Sequence, residues 1–213
     1  MSSRYDTSDV LEGQFEPGSN DRVLRNMRGI VDPIEMDRLE AAELARTLNA
    51  MINEVDRDHR FVATDVCRMH TQWLGGVYNW AGSYRSVNLQ KDGFPFAAAN
   101  LINGLMADLE AGALKRYTPC RFPDVDAISG ALAEVHVELV LIHPFREGNG
   151  RISRALATLM ALQAGLPLLD FSLITGEAKS HYFAAIHAGM DRNYAPMRGL
   201  FAKIISATTA GRK

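Results

Sequence analysis

His143-Pro144-Phe145-Arg146-Glu147-Gly148-Asn149-Gly150-Arg151-Ile152-Ser153-Arg154 is the stretch on which the reading of this chain turns. Apolar helical patterns run up to it from Val125 to Ile142 and away from it from Arg151 to Ala164. Pro144, Gly148 and Gly150 interrupt them, so a loop between two helices is expected. A glycine-rich loop that opens a helix presents unpaired N–H groups at the positive end of the helix dipole, a ready anion site. Gly148 and Gly150 let the backbone approach phosphate oxygens with no Cβ in the way. Asn149 can add a side-chain amide donor.

Charge placement in the stretch extends that reading. Arg151 and Arg154 share a helix face near its N-terminus, where two guanidinium groups can grip a polyphosphate. Glu147 is an acid among cations, and its simplest use is to hold a magnesium ion that bridges phosphates. His143 supplies the one group here able to accept a proton near neutral pH. A hydroxyl deprotonated there could attack a phosphorus atom held in the loop, with the anion cradle stabilising the developing charge. Phe145 reads as an anchor in the core.

Working outward, a helix is expected after Pro33, where Ile34, Met36, Leu39, Ala42, Leu44 and Leu48 recur near helical spacing. Thr64-Asp65 can cap a second helix holding Val66, Met69 and Trp73, which stops at Gly75-Gly76. Residues 85–96 read as a hairpin that turns at Asp92-Gly93. Helical stretches follow from Ala97 to Leu114, Glu177 to Met190 and Ala195 to Ser206. The fold class is mainly α: one helical domain over residues 23–208 with a small β-hairpin. Residues 1–22 form an N-terminal segment and 209–213 a tail.

The bulk numbers set the frame. At 213 residues, 47% hydrophobic and 23% charged, the chain suits one soluble domain with a sizeable core. The formal net charge of −2 implies no nucleic acid and no anionic membrane, so phosphate binding must come from local cations. Cys67 and Cys120 stand in no metal spacing and read as reduced thiols. His70, His136, His181 and His187 make no metal-binding pair; Arg192 and Arg198 read as solvated side chains, and Lys91 as an exposed hairpin lysine that could also approach a nucleotide. No apolar run marks a signal peptide or a membrane span, and the expected compartment is the cytoplasm.

His143 to Arg154 resembles the signature of the Fic family, His-Pro-Phe-x-[Asp/Glu]-Gly-Asn-Gly-Arg-x-x-Arg, with no departure. Trp80-Ala81-Gly82 with Tyr84-Arg85 resembles the family's approach to its flap hairpin. Gly18-Ser19 followed by Val23-Leu24-Arg25-Asn26 and Gly29-Ile30 resembles the start of bacterial Fic toxins. The resemblance implies an enzyme, a protein AMP transferase that moves AMP from ATP to a Tyr, Thr or Ser hydroxyl of a target protein and releases pyrophosphate. Carried over by position, His143 is the general base, Glu147 holds Mg²⁺, and Gly148, Asn149 and Gly150 form the anion hole. Arg151 and Arg154 bind the β- and γ-phosphates. The flap Asn88, Leu89, Gln90, Lys91, Asp92, Gly93 and Phe94 would hold the target by strand addition. Tyr182 and Phe183 fall where family members line the adenine pocket, although core aromatics at helical spacing read the same way.

Two questions stay open at this level. Gly150 favours nucleotidyl transfer, since the phosphorylating Doc branch tends to carry Lys there, but a phosphocholine-transferring branch leaves the donor undecided. Outside enzymology the alternative is a non-catalytic protein-binding module, against which the intact His143, Arg151 and Arg154 argue. The second question is inhibition. Ser8-Asp9-Val10-Leu11-Glu12-Gly13 matches the family's inhibitory pattern, in which the glutamate pairs with the second motif arginine, here Arg154. The toxin-like start at Gly18 implies instead a separate small antitoxin as partner.

Overall fold

The structure is a computed structural model that describes residues 10–176 and 178–210. Ser8 therefore lies outside the described residues, as does Glu177. Helix α1 spans Pro33–Glu54, with Pro33 in its first turn and the Asp32 carboxylate accepting from Ile34 N at 3.1 Å. Its buried positions are Met36, Glu40, Thr47 and Met51, a stripe at helical spacing. Helix α2, Ala63–Leu74, starts one residue before the expected Thr64-Asp65 cap. Asp65 instead reaches back from inside the first turn and accepts from Val62 N at 3.1 Å.

The hairpin is shorter than expected. Strand β1, Gln90–Lys91, pairs antiparallel with β2, Phe94–Pro95, placing Gln90 opposite Pro95 and Lys91 opposite Phe94. Asp92 and Gly93 take φ of 51° and 80°, the left-handed pair that a two-residue hairpin turn requires. Residues 85–89 form no strand, because Arg85 is pulled inward and buried (2% exposed).

Helix α3, Ile102–Leu109, begins after a 3-10 turn at Ala99–Leu101, later than the expected Ala97. It widens over Glu110–Leu114 and ends in a short α4, Lys115–Tyr117. Helix α5, Val125–Ile142, is capped by Asp124, which accepts from Ala127 N at 2.8 Å. It lies at the centre, with Ala131, Leu132, Val135, Val137 and Leu139 buried, and packs against α6, Asn149–Gln163, and α8, Ala195–Ala210. Helix α7, Ala178–Ala188, closes one side. No helix among the described residues is long and apolar enough to cross a membrane.

A 3-10 turn at Leu11–Gly13 precedes an antiparallel pairing in which Glu16 N donates to Val23 O (2.8 Å) and Arg25 N to Gln14 O (2.9 Å). The pairing crosses the boundary expected between residues 22 and 23.

Candidate active site

His143 is the C-cap of α5, in a left-handed conformation (φ 52°, ψ 57°). Pro144 cannot continue the helix, and the turn throws the loop back toward the start of α6. The imidazole Nδ1 lies 3.2 Å from Val140 O, which selects the tautomer with hydrogen on Nδ1 and leaves the Nε2 lone pair for a proton. Phe96 stacks on the ring at 3.6 Å between centroids. Burial, with smaller contributions from the Arg85 and Lys91 cations, outweighs the Val140 hydrogen bond and holds His143 down at about 4. The imidazole is neutral at pH 7.

Gly148 is the N-cap of α6, with φ 82°. A Cβ there would lie 2.5 Å from Cζ3 of buried Trp73. The helix starts at Asn149, two residues before the expected Arg151, so the N–H groups of Asn149 and Gly150 are those of its first turn. The Asn149 side chain braces the loop: its Oδ1 accepts from Phe145 N (2.8 Å) and its Nδ2 donates to Phe145 O (2.7 Å).

Arg151 lines the cavity and is held by two carboxylates. Its Nη1 pairs with Glu40 Oε2 at 2.6 Å, its Nη2 with Glu147 Oε1 at 3.1 Å, and its guanidinium sits 4.7 Å from the Trp73 ring centroid. Gly148 N donates to the same Glu147 Oε1 at 2.8 Å. Both contacts fall on one carboxylate oxygen, and Glu147 keeps a side-chain exposure of 44%, which fits a lone metal carboxylate facing phosphates. Among the described residues no group of three His, Cys, Asp or Glu could hold a metal unaided.

Arg154 faces the cavity, and its guanidinium works against burial in lowering the pKa of the Tyr182 hydroxyl. That hydroxyl also lies 2.8 Å from His136 Nε2. Tyr182, expected at an adenine, is mostly buried but contributes to the cavity wall. Phe183 lines the cavity with the Lys91 ammonium 5.1 Å from its ring centroid, so Lys91 is not a free hairpin cation. Phe94 stacks on His187 at 4.2 Å, and Asn88 Oδ1 accepts from Ala99 N at 2.9 Å. The cavity between flap, loop, α6 and α7 measures about 1170 Å³, with Leu89, Gln90, Lys91, Asp92 and Phe94 on its rim.

Glu12 does not meet Arg154. Its carboxylate accepts from Ser86 N at 2.7 Å and from the Ser86 hydroxyl, and its carbonyl accepts from Arg146 Nε at 2.9 Å. The expected pairing is corrected to a contact beside the flap, because the pairing of residues 14–16 with 23–25 anchors the segment there.

Three residues that the sequence reading left without a role shape the site. Glu40 is 3% exposed and receives the Tyr78 hydroxyl at 2.8 Å on its other oxygen. Burial raises its pKa, against the pull of Arg151. A charged residue on the buried stripe of α1, four after Met36, was the signal. His70 is fully buried, accepts Gly82 N on Nδ1 (2.8 Å), meets Glu147 O through Nε2 (3.0 Å) and stacks on Phe145 at 3.9 Å. Arg85 is buried among carbonyls at the end of α5.

The Fic/DOC family profile matches residues 60–161. The chain is 32% identical over 163 residues to protein adenylyltransferase VbhT of Bartonella schoenbuchensis, covering 72% of this chain and 32% of that protein. It is 30% identical over 161 residues to the probable protein adenylyltransferase y4lH of Sinorhizobium fredii, covering 74% of this chain and 79% of that one. This chain thus spans about a third of VbhT and most of y4lH. An ADP-bound N-terminal Fic domain from Bartonella quintana superposes with a TM-score of 0.70 at 27% identity, covering 89% of this chain and 92% of that domain. The AMPPNP-bound BepC protein of Bartonella tribocorum has the same fold, with a TM-score of 0.71 at 23% identity over 91% of this chain and 96% of that one.

Proposed function

The chain belongs to the Fic/DOC family, and from that premise we propose that it is a protein adenylyltransferase that moves AMP from ATP to a hydroxyl of a target protein. Nε2 of His143 accepts the hydroxyl proton, and the target oxygen forms a bond to the α-phosphorus. The bond from that phosphorus to the bridging oxygen breaks, and pyrophosphate leaves with the electron pair. The first-turn N–H groups of α6 and Arg154 stabilise the charge on the phosphates. Arg151 orients the Glu147 carboxylate. Glu147, through Oε2, is the residue that would hold Mg²⁺, whose chemistry is neutralisation of phosphate charge. The target's extended segment adds to the flap beside Gln90–Lys91.

One observation carries this reading: a neutral imidazole with Nε2 unprotonated faces the same cavity as the α6 N-terminus and Arg154. Incubation of a lysate with α-labelled and γ-labelled ATP tests it. Protein label from the α position alone, lost in His143→Ala, is the expected result. Label from γ alone makes the chain a kinase. No label from either overturns AMP transfer and leaves another donor or a binding role. The compartment expected is the cytoplasm, and a small antitoxin that contributes the inhibitory glutamate is the proposed regulatory partner.

A further inference from the structure

Arg85 is 2% exposed, and among the described residues no carboxylate lies within ion-pair distance of it. A buried cation is costly unless its hydrogen bonds are satisfied. Here backbone carbonyls satisfy them. Nε donates to His143 O at 2.7 Å, Nη1 to Val87 O at 2.6 Å, and Nη2 to Ala97 O at 2.6 Å and Ile142 O at 3.4 Å. The backbone N–H of Arg85 donates to Pro144 O at 2.8 Å.

These acceptors fall into two groups. Ile142 and His143 end α5, where the helix dipole is negative and attracts a cation. Val87 and Ala97 are the two feet of the flap, one before β1 and one after β2. Arginine suits this place because its nitrogens hold a rigid planar fork, and a lysine ammonium cannot reach all these carbonyls at once. Two more contacts tie the descending foot to α5: the Phe96 ring on His143, and Ala97 N donating to Leu141 O at 3.4 Å.

We infer that Arg85 is a positioning residue that couples the flap to the base: one guanidinium joins both feet of the hairpin to the last carbonyls of α5, so that a target segment seated on the flap is registered against His143. The inference rests on the reading of His143 as the base and of the flap as the target's seat. Arg85 is not among the described residues that line the cavity.

The test uses the full chain and needs no transfer activity. Hydrogen exchange of the unsubstituted protein should show the Arg85 Nε–H, the bonded flap-foot amide of Ala97 and the His143 amide opening together as one unit. Arg85→Lys and Arg85→Gln should exchange flap and helix-end amides about tenfold faster or more. The ¹⁵N spectrum of His143 should change from a single Nδ1–H tautomer to an averaged one, while AMPPNP binds as before. Independent opening of His143 and the flap in the unsubstituted chain overturns the inference, as does an Arg85→Lys variant with the exchange and tautomer of the parent. If the glutamine variant fails to fold, the lysine variant and the unsubstituted chain decide. Absence of AMP transfer would leave these readouts standing, and loss of coupling would leave the label experiment standing.

Discussion

Arg151 Nη1 lies 2.6 Å from Glu40 Oε2, and through its other terminal nitrogen the same guanidinium holds Glu147. The orientation of Glu147 is thus set in part by a residue on α1, far from it in sequence. Glu40→Ala would leave a partly buried Arg151 and the Tyr78 hydroxyl without their partner. The expected loss is about 3 kcal/mol, the low end for a broken buried pair because Arg151 keeps some solvent contact. Glu40→Gln keeps an acceptor for both and should lose less. Chemical denaturation of the two variants measures the difference, and an alanine variant as stable as the parent would overturn the bridge.

Gly148 sits where both backbone and space exclude a side chain. Its φ of 82° is strained for any L-residue, and a Cβ would fall 2.5 Å from the Trp73 ring, which is buried and cannot swing away. Gly148→Ala should therefore move the loop rather than the tryptophan. We expect transfer to fall by about a hundredfold, the scale of losing a preorganised anion donor, with stability lowered by about 1–2 kcal/mol from the left-handed conformation. Transfer assays together with thermal melts check both.

Acid should unfold this protein through its histidines. His70, His136 and His143 are each held down to about 4 by burial, from an ordinary 6.5. Between those values the unfolded chain carries protons that the folded chain excludes, so stability is full above pH 6.5 and is lost as pH falls toward 4. Each histidine contributes a slope of about 1.4 kcal/mol per pH unit in that window. Thermal melts from pH 8 to 4 should show a flat Tm above 6.5 and a steep fall below it. His70→Asn should remove about a third of that slope; a Tm indifferent to pH between 6.5 and 4.5 would contradict the burial.

The Tyr182 hydroxyl lies 2.8 Å from buried His136 Nε2 and within electrostatic reach of the Arg154 guanidinium, and Tyr182 and Arg154 both line the cavity. Tyr182→Phe keeps the ring and removes the hydroxyl. Loss of this polar neighbour of Arg154 should raise KM for ATP by about three- to tenfold, the scale of one charged hydrogen bond. A role in adenine stacking alone predicts an unchanged KM, since phenylalanine stacks as well as tyrosine. Steady-state kinetics at varied ATP separates the two.

The legible parts of the site were those compressed into one stretch. The helix end at His143, the glycine turn at Gly148 and the helix start at Asn149 bring His143, Glu147, Gly148 and Arg154 to one cavity almost without the rest of the fold. The side-chain partners of Asn149 and Arg151, Phe145 N and Glu40, show only in the folded loop and in the packing of α1. Arg85 looked like a strand residue since alternation around it suits β structure, whereas the pull of four carbonyls decides its direction. The hairpin turn was plain in Asp92-Gly93, but the length of the ladder depends on what its feet bond to.

Glu12 offers the sharpest contrast between a motif and its place. As part of a Ser-x-x-x-Glu-Gly pattern it would be expected to occupy the phosphate site of Arg154. In the structure its carboxylate is satisfied by the backbone N–H and hydroxyl of Ser86, and its carbonyl is held by Arg146. To reach Arg154 it would have to leave all three donors and release the pairing of residues 14–16 with 23–25. Glu12→Gly should therefore leave auto-AMPylation within about twofold of the parent, since a surface carboxylate bonded to a serine contributes at most about 1–2 kcal/mol, and that to local order. Labelled ATP and both proteins, assayed side by side, measure this. A gain of an order of magnitude in the glycine variant would mean that the segment does travel to Arg154 and that inhibition is built into the chain; an unchanged rate leaves the brake to a separate antitoxin.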